Sequence, residues 1–258
     1  MISSNSRWVQ FPGITTDANL RLFCFPYAGS GASLFSSWPC ILPKHIDICA
    51  IQLPGREGRL DEEAVTHFSA LIPALAEALR PYFDRPYAFF GHSLGGLLAF
   101  ECARYLHQQY DEAPAHLFVS AVRAPHLSWR RSPLYELTDE KLSLTLLRQY
   151  SGFAPEVLQE PELMQFFLPI LRADLALFES YHYHEQAPLS CPLTACGGWQ
   201  DATVSYYDLL PWRQHTSSQF ALRMFAGDHF FLQGMRSQLL QTLAKTLSAQ
   251  PLSCSKQS

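Results

Sequence analysis

Short apolar runs recur along the chain, separated by stretches whose apolar residues return every three or four positions. The runs Arg21–Tyr27, Ile46–Leu53, Tyr87–Gly91, His116–Val122, Leu193–Gly198 and Phe220–Gly227 read as buried strands. Near-continuous apolar runs of this length, several of them stopped by Gly or Pro, suit a sheet covered on both faces. Between them the period lengthens. His67–Phe83 places Phe68, Leu71, Leu75 and Leu79 on one helical stripe. Leu94–Gln109 and Phe230–Leu247 are predicted helices as well. Strand and helix in alternation imply the α/β class, a mostly parallel sheet with helices on both faces.

One segment breaks the rhythm. From about 126 to 188 the pattern is helical with no strand. An insertion of ~60 residues is too long for a plain crossover, so it is a candidate lid over the carboxyl edge of the sheet. Thr138 is placed to cap a helix whose first turn carries Asp139 and Glu140. Pro161 suits the first turn of a longer helix, which Pro169 is expected to kink. Leu163, Phe166, Phe167, Ile170, Leu171 and Leu175, with Phe178, give that helix a broad apolar face. Such a face either packs on the sheet or walls a substrate pocket. His182 and His184 are assigned to the same helix, where a spacing of two puts them on different faces and argues against a metal pair.

Composition narrows the class. The 258 residues suit a single domain, with 48% hydrophobic and 16% charged residues, and residues 249–258 are expected to form a disordered tail. A net charge of -4 with no Lys/Arg run argues against nucleic-acid binding. No apolar run reaches the roughly 18 residues of a membrane span, and the start lacks the pattern of a secretory signal. The seven cysteines are scattered without a zinc spacing, as expected of reduced thiols in a cytoplasmic protein. A monomer is the default expectation.

Chemistry concentrates at Gly91-His92-Ser93-Leu94-Gly95, a G-x-S-x-G match between an apolar strand and an apolar helix. A sharp strand-to-helix turn lifts a serine hydroxyl clear of the sheet, beside free N–H groups at a helix N-terminus. A serine needs a base, and in this arrangement the order is serine, acid, histidine. His229, in "FAGDHFF", follows the last strand and is the best placed of ten histidines. His92 adjoins Ser93, but neighbouring side chains on such a turn diverge. Asp201, after the strand Leu193–Gly198, is the favoured acid, and Asp228 is its rival. Two N–H donors are required for an oxyanion. Leu94 supplies one, and Ala28 in the loop "FPYAGSG" is the candidate for the other. No P-loop is present, and "GSGASL" lacks the third glycine of a dinucleotide fingerprint.

The motifs "FPYAGSG", "LPGREGR", "GHSLGG", "LPILRADLALFESYHY" and "GDHFF" together resemble the type II thioesterases, which accompany nonribosomal peptide and polyketide synthetases. The resemblance runs from about Leu20 to Leu240. It implies an α/β-hydrolase fold, a catalytic triad of Ser93, Asp201 and His229, and backbone oxyanion donors at Ala28 and Leu94. Ser30 stands where the family commonly has a second glycine, and Leu94 where methionine is frequent. The implied activity is hydrolysis of acyl thioesters on the phosphopantetheine arm of acyl or peptidyl carrier proteins, which removes aberrant or stalled groups. No metal or organic cofactor is implied. The alternatives are a medium-chain fatty acyl carrier protein thioesterase and a general carboxylesterase. Arg130 and Arg131 are candidates for contact with an acidic carrier, or else a solvated pair.

Overall fold

A computed structural model describes residues 7–13, 18–127, 133–149 and 161–249. Among the described residues seven strands form one sheet: β1 (Val9–Gln10), β2 (Leu20–Phe25), β3 (Ile46–Ile51), β4 (Tyr87–His92), β5 (His116–Ser120), β6 (Leu193–Gly198) and β7 (Phe220–Phe225). Their order is β1-β3-β2-β4-β5-β6-β7. All neighbours are parallel except β1, which pairs antiparallel with β3 through Val9 and Ile51. The six predicted runs are therefore the six parallel strands. β1 escaped prediction because two residues are too few to display a period.

Successive side chains of a strand point to opposite faces. In β2, Phe23 and Phe25 join the core under α1 (Phe68–Leu79) and α2 (Leu94–Tyr110), while Leu22 and Cys24 join the core of the other face. That second core includes Trp38, Phe90 and Phe118 and is closed by Leu239, Leu240 and Leu243. These leucines lie on the last helix, Arg236–Ser248. β2, β3, β4 and β5 are buried throughout, the pattern expected of strands covered on both sides.

Between β5 and β6 lie α3 (Asp139–Gln149) and α4 (Pro161–Glu179). Leu142 and Leu146 of α3 pack with Met164, Leu168, Leu171 and Leu175 of α4 in a third, separate apolar cluster. Pro161 opens α4, and the helix continues through Pro169 to Glu179. Thr138 precedes α3, and its hydroxyl accepts a long bond from the Lys141 N–H at 3.4 Å.

Three expectations change. The helix expected to reach Phe83 ends at Leu79 and tightens into a 3₁₀ turn at Arg80–Tyr82. The final helix is split into a turn at Phe231–Gly234 and α5 (Arg236–Ser248). His182 and His184 are not helical, because α4 stops before them and residues 181–188 run without helix or strand. Arg130, Arg131, the side chain of Leu163 and the tail from 250 to 258 fall outside the described residues.

Candidate active site

β4 hands the chain to α2 through a single residue, Ser93, at φ 54 and ψ -118. A side chain other than glycine seldom adopts such angles, and the surroundings hold it there. The Ser93 N–H donates to the Ser120 carbonyl on β5 at 2.7 Å. The two flanking glycines permit the turn: a Cβ on Gly91 would lie 2.0 Å from the Gly95 carbonyl oxygen, and one on Gly95 2.1 Å from that of Phe25. The expected collision is thus with backbone, which cannot swing aside.

His229 lies past the end of β7, in the turn before Phe231. Its Nε2 is 3.1 Å from Ser93 Oγ and its Nδ1 is 2.8 Å from Asp201 Oδ2. An ionised carboxylate only accepts, so Nδ1 carries the proton and Nε2 offers its lone pair to the serine. Asp201 sits in the loop after β6. Its Oδ1 accepts from the Thr203 N–H at 2.7 Å, the Thr203 hydroxyl at 2.8 Å and the Val204 N–H at 3.1 Å. Burial works to raise the Asp201 carboxyl, but the bonds from His229 and Thr203 outweigh it and hold the group below its ordinary value. Asp228, the rival acid, instead accepts from the Phe230 N–H at 2.8 Å, so its carboxylate serves its own turn.

His92 has a role that the sequence did not suggest. It is fully buried. Its Nε2 donates to the His229 carbonyl at 2.8 Å, which leaves Nδ1 to accept from the Ser120 hydroxyl at 2.9 Å. Burial, with His229 nearby, pushes its pKa down to about 3, so the ring is neutral. It fastens the backbone of His229 to β5. Thr203 was also missed. A threonine two residues after an aspartate is a common local pairing, which was the available signal.

Ala28 and Leu94 line a chamber with Ser93 and His229. Leu94 opens α2, so its N–H has no carbonyl one turn back. The chamber measures about 40 Å³ and is bounded by Leu146 of α3 and by Leu171, Leu175 and Phe178 of α4. Larger hollows lie elsewhere. One of about 460 Å³ is lined by Leu97, Arg123, His126, Phe178 and Tyr183, among others. Another, of about 390 Å³, lies between α1 and α2. Neither of these two is lined by Ser93. Phe178 borders both the chamber and the hollow of about 460 Å³.

A buried ion pair completes the surroundings. Arg56, in "LPGRE", donates through both Nη atoms to the two carboxylate oxygens of Asp174 on α4, with Nη2 at 2.7 Å. The two side chains are 4% and 1% exposed. Asp174 Oδ2 also accepts the Gly29 N–H at 2.7 Å. Sequence reasoning noticed both motifs but not their meeting, since 118 residues separate them.

Five of the cysteines are buried, and burial pushes the Cys191 and Cys196 thiols up to about 12, so they stay protonated. No helix among the described residues is long and apolar enough to cross a membrane.

Comparison with known proteins places these features. The profile of the thioesterase domain matches residues 20–250. The chain is 44% identical over 249 residues to the linear gramicidin dehydrogenase LgrE of Brevibacillus parabrevis, covering 95% of this chain and 94% of LgrE. It is 41% identical over 246 residues to the gramicidin S biosynthesis protein GrsT of Aneurinibacillus migulanus, with 95% and 96% covered. Among solved structures, the type II thioesterase BorB from the borrelidin biosynthetic cluster superposes with a TM-score of 0.87 at 32% identity, covering 95% of this chain and 99% of BorB. A parallel sheet with a serine turn at its centre, and matches that span nearly the whole sequence, lead to one family: the chain belongs to the thioesterases, as a type II thioesterase of the α/β-hydrolase fold.

Proposed function

We propose that the protein hydrolyses acyl thioesters on the phosphopantetheine arm of acyl or peptidyl carrier proteins, and so clears aberrant or stalled groups from a nonribosomal peptide or polyketide synthetase. The observation that carries this reading is the hydrogen-bonded run from Ser93 through His229 to Asp201, set beneath an apolar chamber. The biosynthetic settings named for GrsT and BorB favour a carrier-bound acyl group over a free ester.

Ser93 Oγ attacks the thioester carbonyl while its proton passes to His229 Nε2. The new C–O bond sends the carbonyl electron pair onto oxygen, where the Ala28 and Leu94 N–H groups receive it. The oxyanion collapses, the C–S bond breaks, and the departing pantetheine sulfur takes the proton from His229. Water then attacks the acyl-serine, giving its proton to His229. The acid leaves, and Ser93 regains its hydrogen. Asp201 keeps the imidazole in one tautomer and stabilises its cation throughout. These steps call on no metal or organic cofactor.

A dehydrogenase reading, suggested by the name of LgrE, finds no dinucleotide fingerprint in the first strand–helix turn, which reads "AGSGASL". A medium-chain fatty acyl thioesterase and a general carboxylesterase would use the same three side chains. The experiment is thiol release from a panel of acyl groups loaded on carrier protein and on coenzyme A, with and without reduced nicotinamide. Turnover independent of the nicotinamide, faster on carrier protein, and lowered at least about 10³-fold by Ser93→Ala is expected. Equal rates on simple esters would sink the carrier assignment.

A further inference from the structure

The Arg56–Asp174 pair is buried and costly, and neither side chain takes part in the proposed bond-making steps. Removing two ions from water is repaid only when their remaining bonds are satisfied, and an apolar pair of similar volume often serves stability as well. Asp174 spends one bond in an unexpected place. It faces Arg56 with both oxygens, yet Oδ2 also takes the N–H of Gly29.

Gly29 is the residue after Ala28 and has φ +80. Its N–H belongs to the Ala28–Gly29 peptide, and the Tyr27 carbonyl on the other side of Ala28 accepts from the Ser30 N–H at 3.1 Å and the Ser30 hydroxyl at 2.7 Å, so the peptides on both sides of Ala28 are held. α4 also presses on this point directly. A Cβ on Gly29 would meet the Phe167 ring at 2.9 Å and Leu171 Cδ1 at 3.3 Å. From the far side, Arg56 reaches the Ser30 carbonyl, and Gln52 accepts from the Ala32 N–H while donating to the Arg56 carbonyl. The loop that carries Ala28 is therefore clamped between β3's exit and α4, with one carboxylate at the junction.

We propose that Asp174 is a positioning residue for the oxyanion hole: docking α4 through Asp174 and Arg56 aims the Ala28 N–H at the carbonyl above Ser93. Catalytic competence is thereby tied to the seat of α4. An α4 that lifts to admit substrate releases Gly29, and the second oxyanion donor becomes available only on reseating. This rests on the proposed acyl-transfer reading.

Two variants test it. Arg56→Met combined with Asp174→Leu replaces the ion pair by apolar packing and removes the acceptor of the Gly29 N–H. Asp174→Asn keeps one oxygen able to accept that bond while weakening the pair. Loss of a whole oxyanion donor costs about 10²–10³ in kcat, and misaiming one costs less. The double variant should lose about 10- to 100-fold in kcat with KM within about twofold. Its Tm should be near that of the parent, and the limbs of its pH–rate profile should stay in place, since His229 and Asp201 are untouched. Asp174→Asn, in which the weakened pair still leaves an acceptor for Gly29, should lose less, about threefold in kcat, with a matching loss of ketone affinity. A trifluoromethyl ketone analogue of the acyl-pantetheine, bound as an oxyanion, should weaken by the same factor as kcat falls. If both variants turn over and bind the ketone like the parent, or if KM alone rises, the inference is overturned. Should the double variant not fold, a kcat loss in Asp174→Asn that matches its loss of ketone affinity upholds the inference, and full activity there overturns it. Failure of the underlying reading would show separately, as a parent enzyme that a fluorophosphonate does not label at Ser93.

Discussion

Asp228 and Asp201 lie one residue and twenty-eight residues from His229, and the distant one reaches its ring. The imidazole needs an acceptor in its own plane, which a separate strand end can supply and a chain neighbour cannot. Asp201→Asn keeps the shape but lets the amide donate, which favours the wrong tautomer. Its kcat should fall by about 10⁴, whereas Asp228→Asn should stay within about tenfold of the parent. Steady-state kinetics on one acyl carrier substrate would reveal a reversal, which would reassign the acid. At this scale the sequence was informative wherever a role is local. Ser93 and Leu94 are announced by the glycines around them, and His229 by a strand that ends just before it. Asp174 and His92 were not legible, because their partners are set by the fold rather than by spacing. The sequence set His92 aside as the base, and nothing in "GHSLG" could show its bond to the His229 carbonyl.

The parallel strands were readable because each is buried on both faces, so the apolar runs are unbroken. The helix ends were less so. Pro81 and the turn before Met235 alter hydrogen bonding without changing the apolar stripe, and the stripe was the signal. Most buried apolar residues of α3 and α4 form a cluster of their own, while Leu177 of α4 joins the core under α1 and α2, and Asp174 ties α4 to Gly29. Phe178, near the end of α4, separates the chamber at Ser93 from the hollow of about 460 Å³. Phe178→Ala should merge the two. We expect decanoyl thioester turnover to rise at least about tenfold relative to acetyl turnover, read as the ratio of kcat/KM values. An unchanged ratio would mean that long chains leave by another route.

The whole molecule carries a pH dependence that the reaction does not require. His92 and His215 are buried and neutral, with pKa values pushed down from 6.5 to about 3 and about 4. For His215 the cause is burial, aided by His126 and Arg104. Unfolded, both rings take up a proton near pH 6.5, so below that pH the unfolded chain binds more protons than the folded one. Stability is then full above about pH 6.5 and declines as pH falls towards 3, by up to about 1.4 kcal/mol per pH unit for each histidine. Urea midpoints at pH 7.5, 5.5 and 4.5 should fall in that order, and a flat series would contradict the burial of these rings. One more property belongs to the molecule at large. A space of about 40 Å³ holds on the order of three waters, and so a stub of two or three carbons. Such a space measures and does not inspect. On the proposed reading, acyl groups at Ser93 are ranked by what fits beneath α4 rather than by their chemistry, so short stubs are favoured over a finished product.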